Sequence, residues 1–470
     1  MSISLHLTDA LSKERVFFVG IGGISMSSLA HLALAAGKTV AGSDRSASAA
    51  TAALEAAGAK IVIGHYPESV TGYDLVVYTA AVSHETSPEL RAAAKLGIPT
   101  LSRGEYLGAL MCRYQRRIGV SGTHGKTTTT TLLSHIALSL SKDPTVLNGA
   151  LSKTLGGKAY RIGGDNEWFL YEACEYKASF HDFHPTIAIV TGVELDHTDF
   201  YPDLDSMIAA FTRSLDGATV AVINCDDEGA IRAAEGFKGG KTVGFSIKKR
   251  ADYYAKDIHF EGKTSYFTLV HDGREYPVVM PLLGAFNIQN ALAALAAAGE
   301  SGLDLLAATR SLADFEAPDR RFSVLYQGDF TVADDYAHHP SEILATLSSA
   351  RSLVKGEGRL ITVFQSHTYT RTHDLFDDFV SSLSLADLVF MPDIFAARET
   401  NTLGVSSASL CRAIGEKARY IESFDEIARE LFKIVRPGDV IITMGAGDVY
   451  KIGNALTALL EKRSESGSII

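Results

Sequence analysis

The sequence predicts an α/β protein of three successive domains, and three observations carry the prediction. Val16-Phe17-Phe18-Val19 runs into Gly20-Ile21-Gly22-Gly23 and a small-residue helix. Ile118-Gly119-Val120 runs into Gly122-Thr123-His124-Gly125-Lys126-Thr127-Thr128 and a Thr-rich helix. Beyond Pro318, apolar runs recur at Leu360–Phe364, Leu388–Met391 and Val440–Met444. Short apolar runs that end in glycine turns and alternate with helical stretches point to parallel sheets with crossover helices. The domains are drawn at residues 1–114, 115–317 and 318–470, and a chain of 470 residues suits about three of them.

The first domain opens like a Rossmann module. After Gly20, Gly22 and Gly23 a helix is expected over residues 27–36, then a strand over 39–41 that ends at Gly42-Ser43-Asp44. That places an acid about 20 positions past the glycines, where ribose hydroxyls are read, while the glycines let the backbone approach a pyrophosphate. Ser25 stands at the third glycine of the dinucleotide fingerprint. Runs at 75–78 and 98–101 continue the pattern.

The central domain begins with a loop built to hold a triphosphate. Its glycines let N–H groups turn toward phosphate oxygens, and the helix N-terminus adds partial positive charge. Lys126 can reach the β/γ-phosphates, and the Thr127 hydroxyl can ligate Mg²⁺. Val120 occupies the first glycine position of the longer phosphate-loop pattern, so the signal rests on the tighter Gly-Thr-His-Gly-Lys-Thr-Thr. Two further strands deliver polar groups at their ends: 168–171 leads into Glu172-Ala173-Cys174-Glu175, and 187–190 leads toward Glu194-Leu195-Asp196-His197-Thr198-Asp199. Open α/β sheets bind ligands at that edge. Glu172 is a natural Mg²⁺ ligand there. His197, in an acidic turn-like segment, is a site candidate, and Cys174 reads as a small packed residue. A further strand is expected at 220–223, β structure over 252–280 and a buried Ala-rich helix over 290–299.

In the third domain Asp334-Asp335-Tyr336-Ala337-His338-His339-Pro340 reads as a metal site or a nucleotide-contact loop. Adjacent histidines leave a strand or turn on different sides, which favours the contact loop. Arg320-Arg321 and His367-Thr368-Tyr369-Thr370-Arg371 add fixed charge suited to carboxylate or phosphate. The last strand ends in Gly445-Ala446-Gly447-Asp448, and residues 461–470 are expected to fray.

Composition narrows the function. A net charge of −11 and a pI near 5.8 argue against a nucleic-acid partner, since nonspecific phosphate binding needs surplus Lys and Arg. Neither a leader-like N-terminus nor an apolar stretch of the ~18 residues a membrane span needs is found, so no membrane partner and a cytoplasmic location are expected. The four cysteines form no C-x-x-C pair and are expected to be reduced thiols.

Eight motifs then fall in order along nearly the whole chain. They are Val19-Gly20-Ile21-Gly22-Gly23, the phosphate loop, Glu172-Ala173-Cys174-Glu175-Tyr176, Asp196-His197, Asn287-Ile288-Gln289-Asn290, Arg320-Arg321-Phe322, Asp335-Tyr336-Ala337-His338-His339-Pro340 and Gly445-Ala446-Gly447. Together they resemble the Mur ligases. The resemblance implies ATP-driven amide formation: a Rossmann-like first domain for the UDP-sugar, a P-loop ATPase-like central domain for ATP, and a Rossmann-like third domain that closes over both. UDP-N-acetylmuramate and L-alanine are the implied substrates, ATP and Mg²⁺ the cofactors, and a monomer or weak homodimer the expected state. Lys126 is implied as the phosphate lysine, with Gly122, Thr123, His124, Gly125 and Thr128 around it. Thr127 and Glu172 are implied as ligands of one Mg²⁺ and His197 of a second. Asn287 and Asn290 resemble the pair near adenine, and Arg321, Asp335 and His338 the third-domain nucleotide contacts. Gly20, Gly22, Gly23 and Asp44 fall at the UDP-sugar. The strand over 360–364 ends just before His367 and Arg371, so these two are expected at the sheet's carboxyl edge, at the amino acid or the forming acyl phosphate.

The sequence departs from many relatives at Ser25, Phe286 and Cys174, where glycine, histidine and aspartate are common. Sister ligases often bridge metals with a carbamylated lysine, but residues 205–215 hold no lysine. Three other readings compete: a murein-peptide ligase of cell-wall recycling, a nicotinamide-dependent oxidoreductase built on the Gly20-to-Asp44 module, and a non-catalytic UDP-sugar sensor. The phosphate loop and strand-end acids leave the last two without a use for those residues.

Overall fold

Three sheets, each wound with helices, organise the chain in the computed structural model, which describes residue 9 and residues 11–198, 200–397 and 399–465. Expectations attached to residues 1–8, Asp199 and residues 466–470 lie outside the described residues. The first sheet is all parallel in the order β3-β2-β1-β4-β5, from β1 (Arg15–Val19), β2 (Thr39–Asp44), β3 (Lys60–Ile63), β4 (Leu75–Tyr78) and β5 (Thr100–Ser102). β1 is buried from Val16 onward, as a strand covered on both faces must be.

The second sheet contains β6 (Arg116–Ser121), β7 (Thr145–Ser152), β8 (Lys158–Arg161), β9 (Trp168–Glu172), β10 (Ile187–Val190), β11 (Val220–Asn224) and β12 (Lys241–Ser246), then β13 (Tyr253–Glu261), β14 (Thr264–His271) and β15 (Arg274–Met280). Its order is β15-β14-β13-β12-β11-β10-β6-β9-β7-β8, with β13 to β15 antiparallel. β6 therefore lies between β10 and β9, parallel to both, and the loops leaving these three strands share one edge. The Thr-rich helix Lys126–Ser139 packs on the Ala-rich helix Ala285–Glu300; small side chains let both bury nearly every face.

The third sheet runs β16-β17-β21-β18-β19-β20, from β16 (Ser323–Gln327), β17 (Thr331–Asp335), β18 (Leu360–Phe364), β19 (Leu388–Met391), β20 (Ala418–Tyr420) and β21 (Val440–Met444). β18 and β21 are buried at every position. The cores divide unevenly. Phe18 and Tyr106 of the first domain share one apolar cluster with Leu147, Phe169 and Phe180 of the second. Both clusters of the third sheet draw only on residues beyond Phe322 and pack within that domain.

Several expected boundaries move. The first helix starts at Ile24, and β2 runs on through Asp44 where a turn was expected at Gly42. Asp334 and Asp335 close β17 and do not belong to a loop, because Asp334 pairs with Arg320 at 2.9 Å and Asp335 accepts N–H bonds from Phe322 and Ala337. The final helix continues to Glu465, five residues into the stretch expected to fray.

Candidate active site

The phosphate loop forms where β6 ends between two parallel neighbours. Gly122 (φ +137°) and Gly125 (φ +81°) take left-handed backbone conformations, and a Cβ at either would collide with Thr191 or Asn290. The helix Lys126–Ser139 starts on Gly125 without a side-chain cap, so its first N–H groups remain open to an anion.

Lys126 Nζ donates to Gly122 O at 2.6 Å and lies 2.9 Å from Glu175 Oε2. Burial opposes its charge, but the Glu175 carboxylate outweighs burial and holds the ammonium above its ordinary range. Next to it the Thr127 hydroxyl donates to Glu172 Oε2 at 2.8 Å. Two cis oxygens of an octahedron with Mg–O bonds of about 2.05 Å stand about 2.9 Å apart, so this pair has the spacing and hardness that Mg²⁺ requires.

A cavity of about 290 Å³ opens beside the loop, lined by His124, Gly125, Thr128, Asn287, Asn290, Arg321 and Asp335. The asparagines are locked: Asn290 Nδ2 donates to Asn287 Oδ1 at 3.2 Å, and Asn287 Nδ2 to Leu283 O at 2.8 Å. Arg321 lies over the Tyr336 ring, with Nη2 3.5 Å from Thr127 Oγ1. Burial pushes the Asp335 carboxyl up to about 6 against the pull of Arg321. Arg320 turns elsewhere, stitching β17 to Gly445 O and Gly447 O. His338 and His339 do part: His338 lies 3.2 Å from Glu342 and edge-on to His367, whereas His339 faces His124.

A second cavity of about 660 Å³ is walled by Cys174, Tyr176, Asp196, His197, His367 and Arg371. It lies where the carboxyl edges of β9 and β10 meet that of β18. Arg371 donates from Nε (3.0 Å) and Nη2 (2.8 Å) to Asp196 Oδ1, and from Nη1 to His367 O at 3.3 Å. Burial raises the Asp196 carboxyl, yet Arg371 outweighs that and holds it far below its usual range. Burial, with the charges of His338 and Arg371, pushes His367 down to about 3 and leaves its imidazole neutral. His197 takes φ +53° and puts Nε2 3.5 Å from Glu175 Oε1. Burial drives the Cys174 thiol up to about 11, so it is no thiolate nucleophile.

At the first sheet Gly20 has φ +79°, and the Gly22 N–H donates to Asp44 Oδ2 at 2.8 Å, so the acid pins the glycine loop. Gly23 follows as the backbone cap of helix Ile24–Ala35. From its start a narrow crevice of about 50 Å³ leads past Ser25, Ser28 and Arg103 to Asn148, Gly149 and Glu172.

Sequence reasoning gave no role to Glu175, Asp196, Glu194, Ser341 or Glu342. Glu175, 2% exposed between Lys126 and His197, had a signal in the doubled acids of Glu172-Ala173-Cys174-Glu175. Ser341, which reaches His124 Nε2 at 2.9 Å from 217 positions away, had none.

A three-domain α/β protein with a phosphate loop at the junction of two further clefts defines a class of nucleotide-driven ligases, and comparison places the chain within it. The Mur ligase middle domain matches residues 120–298, the Mur ligase family catalytic domain 15–115, and the Mur ligase glutamate ligase domain 320–447. A UDP-N-acetylmuramate–L-alanine ligase of Lachnospira eligens is 41% identical over 464 residues, covering 96% of this chain and 100% of that protein. The crystal structure of the UDP-N-acetylmuramate-alanine ligase of Thermotoga maritima superposes with a TM-score of 0.79 at 27% identity, over 97% of this chain and 100% of that one. A murein peptide ligase of Psychrobacter arcticus gives 0.70 at 25% identity, over 97% and 99%. The chain belongs to the Mur ligase family.

Proposed function

We propose that this protein joins L-alanine to the carboxylate of UDP-N-acetylmuramate at the expense of ATP, forming UDP-N-acetylmuramoyl-L-alanine for peptidoglycan precursors in the cytoplasm. Full-length identity of 41% to a ligase of that name supports the substrates. The observation that carries the chemistry is the Thr127–Glu172 oxygen pair at 2.8 Å beside Lys126, where the crevice that passes Ser25 and Ser28 ends on Glu172. Residues 1–114 would hold the UDP-sugar through Gly20, Gly22, Gly23 and Asp44. Residues 115–317 would hold ATP through the phosphate loop, Asn287 and Asn290. Residues 318–470 would close the site with Arg321, Asp335, His338, His367 and Arg371. Among the described residues no helix is long and apolar enough to cross a membrane.

The reaction needs such a site because a carboxylate must approach a triphosphate. Two unit negative charges 4 Å apart repel by about 4 kcal/mol at an effective dielectric near 20, roughly a thousandfold in rate. Lys126 and the open N–H groups of its helix offset that charge on the γ-phosphate. Thr127 and Glu172 would hold one Mg²⁺ and His197 would contact a second, and when bound these ions supply further neutralisation of the transferring phosphoryl group. A substrate carboxylate oxygen attacks the γ-phosphorus, the bond to the β-phosphate oxygen breaks, and ADP and an acyl phosphate form. The alanine amine then attacks the acyl carbon, the carbon–oxygen bond to phosphate breaks, and the amine gives up a proton as phosphate leaves. Arg371, already anchored on Asp196, would turn its remaining N–H donors to the alanine carboxylate and leave the amine free.

Phosphate release from ATP and UDP-N-acetylmuramate tests the proposal, with L-alanine or L-Ala-D-Glu-diaminopimelate as second substrate. Turnover with L-alanine is expected; turnover confined to the tripeptide would make the protein a murein-peptide ligase.

A further inference from the structure

We propose that His124, Glu194 and His339 form a site for a transition-metal dication of the Zn²⁺ class, seated where the phosphate loop meets the third domain. The three residues come from separate stretches: His124 from the phosphate loop, Glu194 from the segment after β10, and His339 from the N-cap of helix Pro340–Arg351. One ligand atom from each lies within 4.8 Å of the others. His124 Nε2 is 3.4 Å and His339 Nδ1 3.7 Å from the same oxygen, Glu194 Oε2. A tetrahedral ion with bonds of about 2.0–2.1 Å has ligand–ligand edges of about 3.3 Å, so the two edges that meet at Glu194 Oε2 already match it to within about 0.4 Å. The Ser341 hydroxyl, 2.9 Å from His124 Nε2 and 2.8 Å from His339 Nδ1, stands at the remaining corner as a fourth donor, an oxygen.

The surroundings suit a metal. His124 Nδ1 lies 3.0 Å from Glu342 Oε1, so a carboxylate faces the ring nitrogen opposite the one turned toward Glu194. His339 is 6% exposed, so a ligand atom on its ring is held out of bulk water. Two carboxylates, Glu194 and Glu342, converge on the His124 ring, and a dication would balance their charge. Two imidazoles and one carboxylate select Zn²⁺ or Co²⁺ over Mg²⁺, unlike the all-oxygen pair of Thr127 and Glu172. Because His124, Glu194 and Ser341 also line the nucleotide cavity, an ion here would clamp the third domain to the phosphate loop and compete with ATP.

The full-length protein, freed of metal by chelator, is titrated with ZnCl₂ by equilibrium dialysis with metal analysis. One Zn²⁺ per chain is expected to be held by this site, weakened at least tenfold by His339→Gln and by Glu194→Gln and by a non-hydrolysable ATP analogue. His197→Gln and Cys174→Ala, which alter the other metal-capable groups nearby, should leave that equivalent in place. Co²⁺ should give the intense visible bands of a tetrahedral site in the parent protein and lose them in Glu194→Gln. If His339→Gln fails to fold, Glu194→Gln, whose side chain is 42% exposed, decides alone. Absence of bound Zn²⁺, or Zn²⁺ that survives Glu194→Gln undiminished, overturns the proposal.

Discussion

Arg371→Ala separates two roles that one guanidinium could serve, holding Asp196 and holding the alanine carboxylate. At 2.8 Å the Arg371–Asp196 attraction is about 6 kcal/mol at an effective dielectric of 20. Both side chains are at least nine-tenths buried, so the alanine variant leaves an uncompensated carboxylate between the central and third domains, at a cost of about 3–5 kcal/mol. A lost charge-assisted hydrogen bond to alanine is worth about 1.5–3 kcal/mol, or a rise of roughly 10- to 150-fold in KM for L-alanine. The assay is a double-mutant cycle: initial rates against L-alanine, at saturating ATP and UDP-N-acetylmuramate, for Arg371→Ala, Asp196→Ala and the pair. If Arg371 binds substrate, the pair keeps a raised KM although the stranded charge is gone, and ATP affinity changes far less. A pair whose KM returns to the parent value would refute the substrate role, and so would Arg371→Ala with the parent KM.

Lys126→Ala should cost about 10²- to 10³-fold or more in turnover while calorimetry finds UDP-sugar binding intact, because that ligand is proposed to sit on the first sheet; near-normal turnover would contradict the phosphate-loop role. Glu172→Gln should raise the Mg²⁺ concentration required for activity steeply, whereas Cys174→Ala should shift the magnesium titration little. Burial lowers the His124 pKa, but Glu342 and Glu194 outweigh it and push it up to about 10, above its ordinary 6.5. The stabilisation is then complete below about pH 6.5 and is lost as pH rises through about 10, so the thermal midpoint of the parent should fall toward that of His124→Gln across this window. A constant difference between the two proteins would show that the ring is not held protonated.

What the chain made legible was local. The glycine loops could be read because each requires specific residues at fixed offsets, and strands such as β18 and β21 because they are unbroken apolar runs. β3 escaped notice because its four residues are half-exposed, with no buried run to mark it. β7 escaped because Asn148-Gly149 reads as a turn, yet lies in a strand whose pairing shifts register between Leu147 and Ser152. The two acids closing β17 looked like a loop because their partners, Arg320, Thr443 and the Phe322 N–H, become visible only once the chain is folded. The links between domains were the least legible. Asp196 meets Arg371 across 175 positions, and no periodicity or motif encodes such a pairing.

The uneven division of the cores has a consequence for motion. The first and central domains are joined through oil, Phe18 and Tyr106 with Phe169 and Phe180, and parting them would expose that surface to water. The described side-chain links that join the third domain to the phosphate-loop region and the segment after β10 are polar: Arg371 with Asp196, Ser341 with His124 and Thr198 with Asp374. Exposed polar links such as Thr198–Asp374 exchange with water at little net cost, whereas parting the apolar seam would not, so any relative movement in this chain is easier at the third domain than between the first two.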